Sequence, residues 1–249
     1  MTNSNTANHQ LPSYNWYVAE VVSCLNRRAF AGLFVGVLLL HALYIYVWYN
    51  HLPFFAHLTK EDGVLEYASA VLMLLAGCLF LKGAFTTKST IQKGWAVAFA
   101  AALIFMAGEE ISWGQRMFGF NWEALEEINN QNETNLHNMP LINAPRLLTI
   151  GSLLLGLIVP VTLVSSAGAR VLAFDKLRIP LPHPVASLCF LSSVIYNRSF
   201  HAAPYNSPQA LSVEESAEFS IGLACFLFAA VWLFSRSAKK QFRVDVESQ

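Results

Sequence analysis

The chain has 249 residues, 55% of them hydrophobic and 13% charged, with a formal net charge of zero. A soluble domain carries about 25% charged residues, so these residues cannot clothe a water-facing globular surface, and the mean hydropathy of +0.42 agrees. No basic patch interleaved with aromatics is present, which excludes a nucleic-acid partner and leaves membrane lipids as the expected surroundings.

Several apolar runs approach the ~18 residues needed for a spanning helix. They predict an all-α polytopic membrane protein, a six-transmembrane-helix bundle. A short interfacial helix is expected at its N-terminus, and an amphipathic helix between spans 3 and 4. Three regions follow: residues 1–29, a cytoplasmic tail with the interfacial helix; 30–235, the transmembrane domain; and 236–249, a cytoplasmic basic tail. The four cysteines (Cys24, Cys78, Cys189, Cys225) have no CxxC spacing and read as small hydrophobes.

In chain order, Trp16, Tyr17, Val21 and Leu25 share one helical face, followed by Arg27 and Arg28, as in a helix lying in the membrane interface. The first span is expected from about Phe30 to Trp48. Its His41 reads as hydrogen-bonded inside the bundle. The second span runs from about Gly63 to Phe85 and the third from about Gly94 to Glu110. Between Asn121 and Asn130, Trp122, Leu125 and Ile128 define an apolar face, with Asn121 as the expected N-cap. The fourth span, about Leu147 to Ala167, carries Pro160 as a bend. A short fifth, about Pro184 to Phe200, and a sixth, about Glu214 to Ser235, complete the set.

Charge supports this alternation. Twelve of the sixteen basic residues fall in the loops of one side, leaving only Lys60, Arg116, Arg146 and Arg198 on the other. The positive-inside rule then places both termini in the cytoplasm of a multi-pass inner-membrane protein. Twelve of the sixteen acidic residues gather on the opposite, outer side.

Three of these acidic positions share a depth. Lys82 to Glu66 and Lys93 to Glu109 are 16 residues each, and Arg236 to Glu218 is 18. At 1.5 Å per residue these are ~24, ~24 and ~27 Å, just inside or at the far boundary of a hydrocarbon core of ~30 Å. Carboxylates meeting there repel, and they require a proton, a cationic partner or a metal ion.

The stretch that begins Gly108-Glu109-Glu110 concentrates the chemistry. Ionisable groups at membrane depth mark a functional site by default. Glu109 and Glu110 sit at a helix C-terminus, where the dipole disfavours them. The expected catalytic set is Glu109, Glu110, Gln115 and Arg116, the last as a clamp for an anionic group. Should a divalent ion be the cofactor, its ligands would come from Glu66, Glu109, Glu110, His137 and Glu218. No HExxH or Cys-rich pattern accompanies them. Glu61, Asp62, Glu214 and Glu215 fit equally well as N-caps of their spans. Trp113 and Trp122 read as interfacial anchors.

The run Glu109 to Arg116, together with Glu-Thr-Asn-Leu-His-Asn at 133–138, resembles a segment shared by bacterial polytopic membrane proteins without an assigned activity. The entry Glu61-Asp62-Gly63 with Glu66 is similar to their second-span entry. The resemblance covers about a third of the chain and implies a bacterial inner-membrane setting, with no activity attached. From the residues themselves, the expected function is a membrane-embedded hydrolase or transferase, metal-dependent if the ligand set closes on an ion. The alternatives are a small cation transporter or channel, or a membrane scaffold. The almost wholly apolar inner halves of the spans count against transport.

Overall fold

A computed structural model describes residues 25, 27–60, 63–120, 122–129, 134–139, 144–164, 179–202 and 208–247. Every regular element among them is helical: α1 (Arg27–Asn50), α2 (Leu52–Leu58), α3 (Val64–Thr86), α4 (Thr90–Glu110), α5 (Gln115–Phe118), α6 (Glu123–Glu126), α7 (Ala144–Leu153), α8 (Val159–Val164), α9 (Pro184–Ala202) and α10 (Pro208–Glu247). Four segments are long and apolar enough to cross a membrane: Arg27–Asn50, Val64–Thr86, Thr90–Glu110 and Glu214–Ser235. These coincide with the first, second, third and sixth expected spans. The N-terminal interfacial helix lies outside the described residues, as do Glu61, Asp62 and Glu133.

The helices stack side by side in the order α4, α3, α10, α9, with α1 and α7 against the far flank of α9. Their contact faces follow helical spacing. Met73, Ala76, Phe80 and Ala84 on α3 are buried, as are Ala96, Ala100, Leu103 and Ala107 on α4 and Ile221, Ala224, Phe228 and Trp232 on α10. Small residues let the backbones close up, which is how helices associate where no hydrophobic driving force exists between them. A Cβ on Gly222 of α10 would stand 3.0 Å from the Ser69 carbonyl oxygen of α3, and one on Gly83 would stand 2.1 Å from the Trp232 ring. Outside these faces the surface is apolar: Val35, Leu39 and Leu43 on α1, and Val97 and Phe105 on α4, are exposed. On α1 only Val37 is buried.

Three local expectations need correction. The amphipathic helix is a single turn, Glu123–Glu126, capped at Trp122 with no side-chain bond; Asn121 lies outside the described residues. Four residues cannot propagate a helix far without packing, and Trp122 and Ile128 are exposed. Second, α10 begins at Pro208, so Glu214 and Glu215 lie inside the helix and cap nothing. Third, where Pro160 was expected to bend the fourth span, a π-helical turn, Leu154–Ile158, joins α7 to α8 just ahead of it. Pro160 has no N–H and its ring crowds the preceding turn, and a widened turn accommodates both.

Candidate functional site

Glu109 and Glu110 close α4 side by side, yet they face different neighbours. Consecutive helical residues project about 100° apart. The buried stripe Ala100, Leu103, Ala107 continues by three residues to Glu110. The exposed stripe Ala101, Ala102, Phe105 continues by four to Glu109.

Glu110 therefore points into the interface of α4 with α3 and α10. The Ser69 hydroxyl donates to its Oε1 at 2.7 Å, and the same hydroxyl also lies 2.7 Å from the Glu66 carbonyl oxygen. The Glu218 carboxyl on α10 lies near that of Glu110, and the Glu66 and Glu214 carboxyls are also close enough to act on its charge. Glu218 feels Glu110, Glu215, Glu214 and Glu66 in the same way. Carboxylates gathered this closely repel one another, and a proton held between two of them would relieve that repulsion. Ser216 and Ser220 are also buried on α10. Gly222, one turn on from Glu218, admits the Ser69 backbone to the site.

Below this level the interface of α3 with α10 is apolar. The buried side chains of α3 from Ala70 onward, and of α10 from Ile221 onward, are apolar. Phe80 meets Phe99, Phe228 and Trp232 with ring centroids 5.3, 5.2 and 5.1 Å apart. Phe80 is 14 residues along α3 from Glu66, about 21 Å at helix rise.

Glu109 has a different task. Its Oε1 accepts the Trp113 indole N–H at 2.7 Å, and its Oε2 accepts the backbone N–H groups of Leu136 and His137 at 2.6 and 3.0 Å. The chain reverses at once after α4: Ser112, Trp113 and Gly114 have φ of 46°, 56° and 79°. Left-handed geometry costs roughly 1–2 kcal/mol for each non-glycine residue, so this turn persists because its surroundings hold it. The Trp113 ring lies over Gly108, where a Cβ would sit 2.8 Å from the indole. Asn135 donates to the Ser112 hydroxyl at 2.9 Å, while Asn129 donates to the Asn135 carbonyl and side-chain oxygens, both at 2.8 Å. Gln115 donates to Glu126 and accepts from the Thr134 N–H at 2.6 Å. The described residues between Ser112 and Asn138 are thus pinned to the end of α4.

The structure splits the expected ligand set. Glu110 and Glu218 pair inside the bundle with Glu66 near them. Glu109 turns to the covering loop, where His137 Nδ1 is 3.9 Å from its Oε2. Among the described residues no three His, Cys, Asp or Glu side chains converge to hold an ion. The 100° step along α4 accounts for the separation of Glu109 from Glu110. Gln115 braces the loop, and Arg116 is exposed on α5. Sequence reasoning passed over Ser69, Asn129 and Asn135. Ser69 was within reach of it, standing three residues from Glu66 on the same helical face.

A second polar contact lies between α1 and α9. His41 Nδ1 is 2.8 Å from the Tyr196 hydroxyl, and its Nε2 is 3.0 Å from that of Ser192. This satisfies both ring nitrogens, as expected for a histidine inside a bundle.

Fold and site together define an all-helical protein whose apolar helices are built for a membrane, with a carboxyl pair at one end of the bundle. No family model, curated protein or solved structure matches the chain.

Proposed function

We propose that this chain is a six-span protein of the bacterial inner membrane with both termini in the cytoplasm, and that it is a membrane-embedded hydrolase or transferase. Its reaction centre is the Glu110–Glu218 pair on the outer side. The observation that carries this reading is two neighbouring buried carboxyl groups, Glu110 held by the Ser69 hydroxyl, above an apolar α3–α10 interface.

The six-span count adds two elements to the four long apolar helices. The run 144–164 is 21 residues and Pro184–Ala202 is 19, or about 31 and 28 Å at helix rise, enough for the hydrocarbon core. The outward placement of the site follows from the charge bias of the loops.

Two carboxyls holding one proton supply a general acid and a general base in one place. The protonated member gives its proton to a leaving group while the ionised member takes one from the attacking water or hydroxyl. Ser69 fixes one Glu110 oxygen, which leaves the other to the partner carboxyl. Arg116, exposed on α5, is suited to hold an anionic group of the substrate. A transport role needs a polar path inward, and the Phe80, Phe99, Phe228 and Trp232 cluster fills that route.

The test is product analysis by mass spectrometry after the protein, in vesicles of bacterial polar lipid, is supplied with that lipid as substrate. Glu110→Gln and Glu218→Gln should each lower turnover by about 10²–10⁴-fold, the usual worth of general acid–base catalysis. Lipid turnover equal to wild type in both variants would overturn the acid–base assignment. A Glu110-dependent cation flux without any lipid product would favour transport instead.

A further inference from the structure

We infer that the described residues of the excursion after α4 (112–120, 122–129 and 134–138) are embedded in the lipid boundary, folded back along the lipid-facing flank of α4, and that their partner is the bilayer surface itself. The stripe Val97, Ala98, Ala101, Ala102 and Phe105 is exposed on α4, opposite the packed stripe Ala96, Ala100, Leu103 and Ala107. The next two positions on the exposed stripe are Gly108 and Glu109. Neither is open: Trp113 lies over Gly108 with its ring centroid 5.5 Å from that of Phe105, and the loop buries Glu109. The excursion therefore sits on the side of α4 that faces lipid elsewhere along its length.

Irregular backbone at membrane depth is tolerated only when its polar groups are satisfied within the protein. The contacts of Glu109 meet that condition. Its carboxylate would be costly against lipid, and the Leu136 and His137 N–H groups would be equally costly; bonded together, they cancel. Gln115, Glu126, Asn129 and Asn135 likewise direct polar atoms inward to one another and to backbone.

The outward surface has the opposite character. Phe118 is 77% exposed, Trp122 61%, Met117 55% and Ile128 54%. Phe118 packs on Gly114, so an apolar strip runs unbroken from Phe105 through Trp113 to Phe118. Aromatic and long apolar side chains at the end of a span form an interfacial belt. Among the described residues of the excursion the exposed charges are Glu123 and Glu127, with Arg116, a balance that suits zwitterionic headgroups rather than anionic lipid. None of this depends on the chemistry assigned to Glu110 and Glu218.

The test uses nitroxide labels at Phe118→Cys and Ile128→Cys, in a full-length chain whose four native cysteines are replaced by alanine, reconstituted in phosphatidylcholine vesicles. Phe105→Cys and Glu123→Cys serve as the lipid and water references. Labels at 118 and 128 should collide several-fold more with oxygen than with a water-soluble nickel chelate, as at 105 and unlike 123. Nickel access equal to that at 123 would overturn the inference. So would shielding from both agents with broadening that grows with protein density, which means a second copy covers the strip. Should the cysteine-free chain fail to fold, tryptophan quenching of the native chain by brominated phosphatidylcholine decides the matter. Trp113→Phe and Trp122→Phe should each remove part of the quenched signal, and an unchanged quenched fraction in both would refute the inference.

Discussion

Removing the Glu109 carboxylate strips the partner from three donors at once: the Trp113 indole and the backbone N–H groups of Leu136 and His137. Hydrogen bonds to a charged group contribute about 1.5–3 kcal/mol each, so three of them sum to roughly 4.5–9 kcal/mol if additive. Contacts in one network are not additive. The loop also keeps Asn129–Asn135, Asn135–Ser112 and Gln115–Thr134. For Glu109→Ala we therefore expect about 4 kcal/mol of lost local stability, near the low end of that sum. At 1.36 kcal/mol per decade this is a ~10³-fold rise in the opening equilibrium of the loop. Glu109→Gln keeps one neutral acceptor and should cost about half as much, a ~30-fold rise. The assay is hydrogen exchange with mass spectrometry on peptides covering 134–139, with the protein in lipid nanodiscs. The α3 and α10 core should keep its protection, because the bonds lost are local. Unchanged exchange at Leu136 and His137 in Glu109→Ala would refute the reasoning.

Other substitutions probe the packing around the site. Gly222→Leu drives a side chain into the Ser69 backbone and should cost about 1–3 kcal/mol as overpacking, read as a lower midpoint of unfolding in denaturing detergent; a midpoint unchanged from wild type would argue against close approach of α3 and α10. Gly83→Val should do the same at the Trp232 ring, 2.1 Å from the added Cβ, again by about 1–3 kcal/mol. His41→Phe and Tyr196→Phe, alone and together, form a double-mutant cycle across a 2.8 Å contact, and the coupling should be about 0.6 kcal/mol, the average for such bonds in membrane bundles. A coupling of zero would show that the two side chains do not meet in the folded protein. Asn135→Ala removes bonds to Ser112 and Asn129, and should raise protease sensitivity between 112 and 138 while leaving the core intact.

Hydrophobic runs and the lengths between charges fixed much of this protein before any contact was known. Four runs of sufficient length carry their own backbone hydrogen bonds in a helix, which is what a hydrocarbon surrounding demands, and their ends fall within a few residues of those expected. The depth of Glu66, Glu218 and the glutamates of α4 is likewise a matter of helix rise, independent of packing. Which glutamate enters the bundle is another matter. A residue's direction is a rotation about the helix axis, and only the identity of the neighbouring helices says which direction is inward. The alanine stripe from Ala96 to Ala107 contained that answer, but the equally small Ala98, Ala101 and Ala102 on the opposite face masked it. The loop was harder still. Left-handed turns at Ser112 and Trp113 have no sequence signature, and the bonds from Leu136 and His137 to Glu109 span 27 and 28 residues. The sequence by itself placed two carboxylates at one end of a membrane bundle. The tertiary structure alone decided that Glu110 turns toward Ser69 and Glu218 while Glu109 anchors the loop, because a step of about 100° along a helix separates the packed face of α4 from its exposed face.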